Sequence, residues 1–281
     1  MRTTIIFLFF LPLFSFAQYS ISEDLLSATI LIENQNGGSG SGFFFEDSSD
    51  IYIITARHVI FTIPTDKRKK IGKENLISEN GLIKFYAGNS DKTDANEIKC
   101  DFSKLYDSGY IKFSEKDDIV VIKIGKINVE GFRHIEYCNG VTRVGVKSKI
   151  IPLSYKDIGQ YNETRVGNDI YIFGYPRSLG IGNENEYDFE RPLLRKGTLA
   201  GRNIKNRTII IDCPSFGGNS GGPVYEITFD KKVKLIGIVV SFIPYTEIWK
   251  NVRYGNINQE ITNSGYSVVE PIDKIVELIK K

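Results

Sequence analysis

The chain has 281 residues, enough for one large domain or two small ones with a buried core. Its 36 basic and 34 acidic residues nearly cancel, which excludes a broad charge field of the kind that attracts nucleic acid or a membrane surface. Ile, Val, Tyr and Phe are abundant and favour strands. The composition therefore predicts a globular, β-rich protein.

The N-terminus has the pattern of a secretory signal peptide. Arg2 gives a short basic start, an apolar run follows over 5–16, and Ser15-Phe16-Ala17 has the small residues that signal peptidase prefers. This run is too short to span a bilayer comfortably. We predict a signal peptide over 1–17, a secreted or periplasmic mature protein, and no membrane contact after cleavage. An uncleaved anchor is the alternative.

Three cysteines follow, at Cys100, Cys138 and Cys213. Export permits disulfides, but an odd count leaves at least one thiol without a partner in the same chain. A Cys100–Cys138 bond is one arrangement that the sequence allows. The spacing does not suggest a zinc site, and we predict no metal and no cofactor.

Short apolar runs separated by turn-rich segments predict an all-β fold. The predicted strands are Ala28–Glu33, Gly42–Phe45, Ile51–Thr55, Leu82–Tyr86, Ile119–Ile124, Ile170–Phe173, Thr208–Ile211, Val224–Ile227 and Lys234–Phe242. The polar stretches 62–80 and 176–192 are predicted surface loops. Helical spacing of apolar residues follows Pro271 and predicts a terminal helix. A weakening of the strand pattern divides the chain into 18–145 and 146–281.

The strongest chemical signal is the run Phe216-Gly217-Gly218-Asn219-Ser220-Gly221-Gly222-Pro223-Val224. A hydrolytic serine needs a tight turn whose backbone N–H groups point at the oxygen that becomes negative in the transition state. Glycines allow that backbone and let substrate approach closely. The pattern favours Ser220 as a nucleophile over a simple glycine-rich turn.

A histidine follows the apolar strand that ends at Thr55. A general base needs such firm support, because its ring must stay aimed at the nucleophile. The chain has only two histidines, and His134 lacks a comparable setting, so His58 is the predicted base. The small-residue run from Gly38 to Gly42 precedes a strand that could pair with this one, and we interpret it as a flexible turn.

A pair of carboxylates, Asp117 and Asp118, enters the apolar run over 119–122. A carboxylate there is costly to bury without a partner. A histidine Nδ1–H would supply one, and the carboxylate would fix the imidazole tautomer. Asp118 is favoured because it adjoins the apolar run directly, and Asp117 is its rival.

In the order His, Asp, Ser, these motifs resemble the chymotrypsin-like serine peptidases, and are most similar to the bacterial HtrA/Deg-type protease domain. The resemblance spans roughly 38–245 and also rests on Phe173-Gly174-Tyr175-Pro176, Lys196-Gly197-Thr198-Leu199-Ala200-Gly201 and Gly237-Ile238-Val239-Val240-Ser241. It implies two six-stranded β-barrels, here with a C-terminal helix and the site in the cleft between the barrels. His58 and Asp118 would lie in the first barrel and Ser220 in the second.

The resemblance implies a role for each matching position. Ser220 would be the nucleophile, His58 the general base and then acid, and Asp118 the group that orients His58. The backbone N–H groups of Gly218 and Ser220 would form the oxyanion hole. Ser241-Phe242-Ile243 would be the edge strand that pairs with a peptide or protein substrate.

Departures from the family pattern refine this expectation. Asn219, before the nucleophile, carries no charge, so we predict no activation by a new N-terminal amine. HtrA-type proteins usually continue into a peptide-binding PDZ domain, which we expect this chain to lack. Trypsin-like pockets have an Asp where this chain has Pro214, followed by Ser215, and Ile243 should narrow the pocket. These features predict cleavage after small or medium apolar residues.

Three other interpretations remain. A catalytically silent relative would bind a peptide or a partner protein through the same surfaces. An α/β-hydrolase would place its Asp and His after the serine, whereas both precede it here. A β-rich adhesin would explain the export signal but not the three motifs.

Overall fold

The computed structural model describes residues 21, 23–66, 69–86, 95–128, 134–144, 150–177, 188, 191–251 and 253–281. The predicted signal peptide, most of the 176–192 stretch and the predicted boundary at 145–146 lie outside the described residues. No helix in the described ranges is long and apolar enough to cross a membrane.

Within the described chain, the first sheet has nine strands in the order β6-β7-β3-β2-β1-β4-β5-β9, with β8 beside β7. All of its strand pairs are antiparallel, and some of them, such as β1–β2 and β2–β3, join consecutive strands through short connections. The strands are β1 (Thr29–Asn34), β2 (Ser39–Asp47), β3 (Asp50–Thr55), β4 (Asn80–Phe85), β5 (Asn96–Asp101), β6 (Ile111–Phe113), β7 (Val120–Asn128), β8 (His134–Tyr137) and β9 (Val141–Val144).

The second sheet closes into a six-stranded barrel in the order β10-β11-β12-β15-β14-β13. Its strands are β10 (Asp169–Gly174), β11 (Leu193–Asn203), β12 (Thr208–Asp212), β13 (Pro223–Ile227), β14 (Val233–Asn251) and β15 (Asn256–Pro271). In the described residues the α-helices are α1 (Arg57–Ile60), α2 (Phe102–Asp107) and α3 (Ile272–Ile279), and 3₁₀ helices lie at Glu23–Ala28, Lys73–Asn75 and Tyr155–Asp157.

Strand β10 shows how the two sheets share a core. Ile170 and Ile172 are buried inside the second barrel, while Tyr171 and Phe173 belong to the larger core that contains the first sheet. Successive side chains of a strand point to opposite faces, so both faces of β10 are buried. Its continuous apolar sequence follows from this position between two cores.

The terminal helix α3 packs where the two sheets meet. Its apolar side chains, among them Ile275 and Leu278, are buried in the same core as the first sheet. The Lys112 ammonium of β6 donates to the carbonyl of Ile279 at 3.0 Å. Strands β14 and β15, which lead into the helix, belong to the second barrel, so α3 connects both halves.

The predicted all-β fold of two chymotrypsin-like halves with a C-terminal helix is confirmed, and each of the nine predicted strands is present. The first half has nine strands rather than six, because short strands such as β6, β8 and β9 add to its edges. The strand predicted to end at Phe242 continues to Asn251. The Cys100–Cys138 bond is not formed, and all three cysteines are free thiols.

The small-residue run before Phe43 is strand, and its interpretation as a flexible turn is wrong. Ser39 begins β2, and the glycines there permit close packing rather than flexibility. A Cβ on Gly42 would lie 2.5 Å from the carbonyl oxygen of Ile54, and one on Gly40 would lie 2.5 Å from the Val59 side chain. Real Cβ atoms essentially never come so close to another heavy atom, so β2 needs glycine at both positions.

Candidate active site

His58 lies where a buried strand gives way to a short helix. Strand β3 runs between β2 and β7 and ends at Thr55, and α1 begins at Arg57. His58 Nδ1 lies 2.6 Å from Asp118 Oδ2, and its backbone N–H donates to Asp118 Oδ1 at 3.0 Å. Because one carboxylate holds both the ring and the backbone, the imidazole has a fixed orientation while its side chain stays 39% exposed.

The electrostatics of Asp118 suit this contact. Burial alone would raise its pKa, but hydrogen bonds from the His58 side chain and backbone N–H, together with the nearby Arg57 charge, lower the pKa below its ordinary value. The carboxylate therefore stays ionised and can accept the Nδ1–H of a neutral or a protonated imidazole.

Asp117, the rival of Asp118, is held by other groups. Lys274 Nζ of α3 donates to Asp117 Oδ1 at 2.7 Å, and Ser114 Oγ donates to Asp117 Oδ2 at 2.9 Å. Lys274 also donates to Glu270 Oε2 at 2.7 Å, and the Glu270 carboxylate accepts the backbone N–H of Asp118. Asp117 therefore secures the segment before Asp118, and Asp118 alone contacts His58.

Arg57 fastens this acidic segment to the His58 helix. The guanidinium is buried and donates from Nη1 to the carbonyl of Ser114. The same nitrogen lies 3.0 Å from the carbonyl of Glu115 and 3.1 Å from that of Asp117. A charge in an apolar run needs such partners. This signal could have identified Arg57 from sequence, although not the carbonyls that it binds.

Ser220 lies half-buried in a turn that only glycine can form. Gly218 and Gly221 have φ angles of 100° and 85°, a region that penalises other residues. A Cβ on Gly218 would lie 2.1 Å from the Tyr175 carbonyl oxygen. Asn219 is buried and accepts the backbone N–H of Phe216 at 3.1 Å, so the amide stabilises the turn from within.

The turn packs directly on the part of the chain that carries His58. A Cβ on Gly221 would lie 2.2 Å from Thr55 Oγ1 and 2.8 Å from the backbone nitrogen of Ala56. Ser220 is adjacent to Gly221, and Ala56 is two residues before His58. The fold thus brings the predicted nucleophile and base together, although among the described residues Ser220 Oγ makes no hydrogen bond to His58. Such bonds are often long without substrate and tighten in the reacting complex.

Ser41 of the first sheet holds the Ser220 turn in place. Its Oγ donates to the Gly218 carbonyl at 2.6 Å and accepts the Tyr175 N–H at 2.9 Å. Its backbone N–H donates to the Ser220 carbonyl at 2.8 Å. No local pattern in the sequence marks Ser41 for this role, because these bonds join residues far apart in the chain.

The predicted oxyanion-hole donors remain available. Within the described residues, the backbone N–H groups of Gly218 and Ser220 donate to no protein acceptor, whereas that of Asn219 donates to the Phe216 carbonyl at 2.9 Å. Two free N–H groups beside a serine hydroxyl can bind an oxygen that becomes negative.

The predicted pocket residues lie at the base of the same turn and along β14. Pro214 is half-buried and Ser215 is buried. Ser267 Oγ donates to the Cys213 carbonyl at 2.7 Å and lies 2.9 Å from Ser215 Oγ, and Asn263 Nδ2 donates to the Ser215 carbonyl at 2.7 Å. No local pattern in the sequence marks these two β15 residues as part of the pocket.

The predicted substrate edge lies in β14 opposite β15. Ser241 and Phe242 are exposed and Ile243 is half-buried. Ser264 Oγ donates to the Ile243 carbonyl at 2.6 Å. Strand β15 therefore supports this segment by a hydrogen bond, and Ser241 and Phe242 stay exposed to solvent.

His134 lies far from this arrangement. It begins β8 and pairs with Asn128, the last residue of β7. Val120 is the first residue of β7, and Asp118 precedes it by two positions. Eight residues of strand separate Val120 from Asn128, a distance of about 26 Å. His134 is therefore excluded as the base of this site. No group of three or more His, Cys, Asp or Glu side chains suited to a metal ion occurs in the described ranges.

A family model for the trypsin-like peptidase domain matches residues 40–238, and the chain belongs to this family of serine peptidases. The predicted resemblance to the chymotrypsin-like peptidases is thereby confirmed, and the predicted likeness to the HtrA type is seen in the fold of solved structures. Among solved structures, the chain is similar to an HtrA-type protease AlgW with tripeptide, at 14% identity and a TM-score of 0.50 over 91% of this chain and 60% of that chain. It is also similar to Deg5, at 19% identity and a TM-score of 0.48 over 90% and 88%.

The AlgW similarity supports the fold, and this chain spans less than two thirds of the AlgW chain's length. Among curated proteins no sequence matches.

Proposed function

We propose that the protein is a secreted serine endopeptidase with Ser220, His58 and Asp118 as its catalytic triad. One observation carries this proposal: Asp118 binds the His58 ring at 2.6 Å directly beside the glycine turn of Ser220. Secretion rests on the signal-peptide pattern over 1–17.

The reaction begins when Ser220 Oγ attacks the substrate carbonyl carbon and His58 Nε2 accepts the hydroxyl proton. The carbonyl π electrons move onto oxygen, which the N–H groups of Gly218 and Ser220 stabilise. When the tetrahedral intermediate collapses, the C–N bond breaks and His58 gives its proton to the leaving amine. Water then repeats these steps on the acyl-enzyme, and Asp118 holds the imidazolium in both halves.

A serine-directed fluorophosphonate probe tests the function. We expect the probe to label the wild-type protein and to leave Ser220→Ala unlabelled, because only an activated serine attacks the phosphorus centre. The two proteins should have the same melting temperature, since the hydroxyl is half-buried and makes no hydrogen bond within the described residues. An unlabelled wild type would favour the alternative, a catalytically silent relative that binds a peptide or protein partner.

Substrate preference follows from the pocket, for which we propose Pro214, Ser215, Ser241, Phe242 and Ile243 as contacts. None of these five residues carries a carboxylate that could pair with a basic side chain, and Ile243 adds an apolar wall. We expect a peptide library to be cleaved after small or medium apolar residues. Preferential cleavage after Arg or Lys would overturn this assignment of the pocket without affecting the triad.

A further inference from the structure

Strands β14 and β15 extend beyond the second barrel as a long hairpin. They remain paired out to Asn251 and Asn256. The outer hairpin, residues 244–263 without the undescribed 252, exposes large apolar side chains that a monomer would normally bury. Tyr245 is 55% exposed and Trp249 is 62% exposed, and exposed aromatic side chains clustered in this way mark interaction surfaces.

The hairpin continues the edge that we propose for substrate. Among the described strands none pairs with Ser241–Asn251 on the side opposite β15. Pro244 interrupts the backbone donors of this edge directly after Ile243, because proline has no N–H. Beyond Pro244, recognition of an extended chain therefore depends more on side chains.

One face of the outer hairpin combines aromatic rings with unpaired negative charge. Glu247 and Glu260 are directly opposite each other, so their carboxylates share a face and repel. Tyr245 and Trp249 are two positions from Glu247 on the same strand and share this face. In the described chain no Lys or Arg nitrogen lies within 4.0 Å of either carboxylate.

The opposite face supplies no compensating charge. Lys250 is an odd number of positions from Glu247 and points to the other side of the hairpin. Ile248, Ile257 and Ile261 lie on that other side with it, each more than half exposed. Within the described residues no basic group neutralises the two glutamates, which leaves them able to bind a basic group of another molecule.

We propose that this face, defined by Tyr245, Glu247, Trp249 and Glu260, is an exosite for a basic segment of the polypeptide substrate. The proposal rests on the proposed function, because it places the segment upstream of the cleaved bond, along the edge that leads to Ser220. Four residues of strand separate Ile243 from Glu247, about 13 Å. A Lys or Arg there would meet two carboxylates and lie beside aromatic rings that attract cations.

The only tryptophan of the chain is Trp249, which makes its fluorescence a direct reporter of this face. We would titrate Ser220→Ala, which cannot turn over substrate, with an apolar peptide extended at its N-terminal end by three lysines. The matched peptide carries three glutamates instead. We expect saturable binding of the lysine peptide, weaker binding at high salt because exposed charges are screened, and no saturation with the glutamate peptide.

The double substitution Glu247→Gln/Glu260→Gln in the Ser220→Ala background should weaken binding of the lysine peptide by about tenfold. The control, Glu79→Gln/Glu136→Gln, makes the same change in net charge at two exposed positions elsewhere and should bind like the parent. Equal binding of both peptides, or equal weakening by both double variants, would overturn the exosite.

A change in Trp249 fluorescence with protein concentration alone, accompanied by dimers in ultracentrifugation, would also overturn the proposal and assign the face to a second copy. The proposed function fails separately. If fluorophosphonate does not label the wild-type protein, the proposed peptidase function is refuted. Binding of the lysine peptide can still be measured in that case. If the wild-type protein is labelled but the lysine peptide does not bind the hairpin, only the exosite proposal is refuted.

Discussion

Asp118→Asn should lower kcat by about 10⁴-fold, with only a modest fall in melting temperature from the lost carboxylate contacts. The amide NH₂ can donate where the carboxylate only accepts. A donor facing Nδ1, which lies 2.6 Å from Asp118 Oδ2, would leave the proton on Nε2. The imidazole could then no longer take a proton from Ser220. Steady-state hydrolysis of a fluorogenic apolar peptide measures the effect.

The matched control is Asp117→Asn. It changes the neighbouring carboxylate, which binds Lys274 and Ser114 rather than His58. We expect kcat to fall less than tenfold and stability to fall instead. If the two variants exchanged these effects, or if Asp118→Asn kept more than a tenth of wild-type kcat, Asp118 would not be the group that orients the base.

Asp118→Asn should also change how the free energy of unfolding depends on pH in acid. The pKa of Asp118 in the folded protein is below its ordinary value, which is about 4 in an unfolded chain. The carboxylate therefore stabilises the fold above pH 4, and this contribution is lost as the pH falls through the folded pKa. Asp118→Asn should show a shallower loss of unfolding free energy below pH 4 than wild type.

The largest loss of stability should come from Lys274→Met. The ammonium is buried between Asp117 and Glu270, each 2.7 Å away, and also donates to the Asn206 carbonyl at 3.0 Å. Methionine keeps the length but leaves two carboxylates without their cation. Breaking a buried ion pair in this way costs about 3–5 kcal/mol, which lowers the melting temperature by on the order of 10 °C.

Two further variants test whether the loss of stability comes from the buried ion-pair network. Lys232→Met removes an exposed ion pair with Asp230 and should leave the melting temperature almost unchanged, because solvent and salt screen exposed charges. Lys274→Met/Glu270→Gln should recover part of the loss, because one unpaired carboxylate is then gone. A Lys274→Met protein as stable as Lys232→Met would show that the buried network contributes little.

Local chemistry explains what the sequence could predict. The glycine turn at Ser220 and the apolar strand before His58 must have particular residues at particular spacings, so they stand out without a structure. Strand β10 is equally clear because both of its faces are buried. These elements carry their structural constraints in their own residues.

Long-range contacts explain what the sequence could not predict. Strand β11 is largely exposed, and β15 is polar along its outer half, so neither has the apolar alternation that marks a strand. Their conformation comes from pairing with β10, β12 and β14. Likewise, Lys274 binds a carboxylate 157 positions away, and no local pattern encodes that partner. Its position beside the apolar run favours Asp118 over Asp117, but only the fold shows that Asp118 contacts His58 and that Asp117 contacts Lys274.

The contacts of Ser41 affect the stage of synthesis at which the protein can first hydrolyse a peptide bond. Ser41 and Gly218 are joined by a hydrogen bond across 177 positions of the chain, and domains generally form in the order in which they are synthesised. A growing polypeptide that has folded only its first sheet has the base and its carboxylate but no nucleophile. A second barrel folded by itself has the nucleophile without the residue that fixes its turn. On the proposed function, the fold thus delays hydrolysis until the second barrel has been synthesised and has folded onto the first sheet, so a chain with only the first sheet folded cannot digest itself.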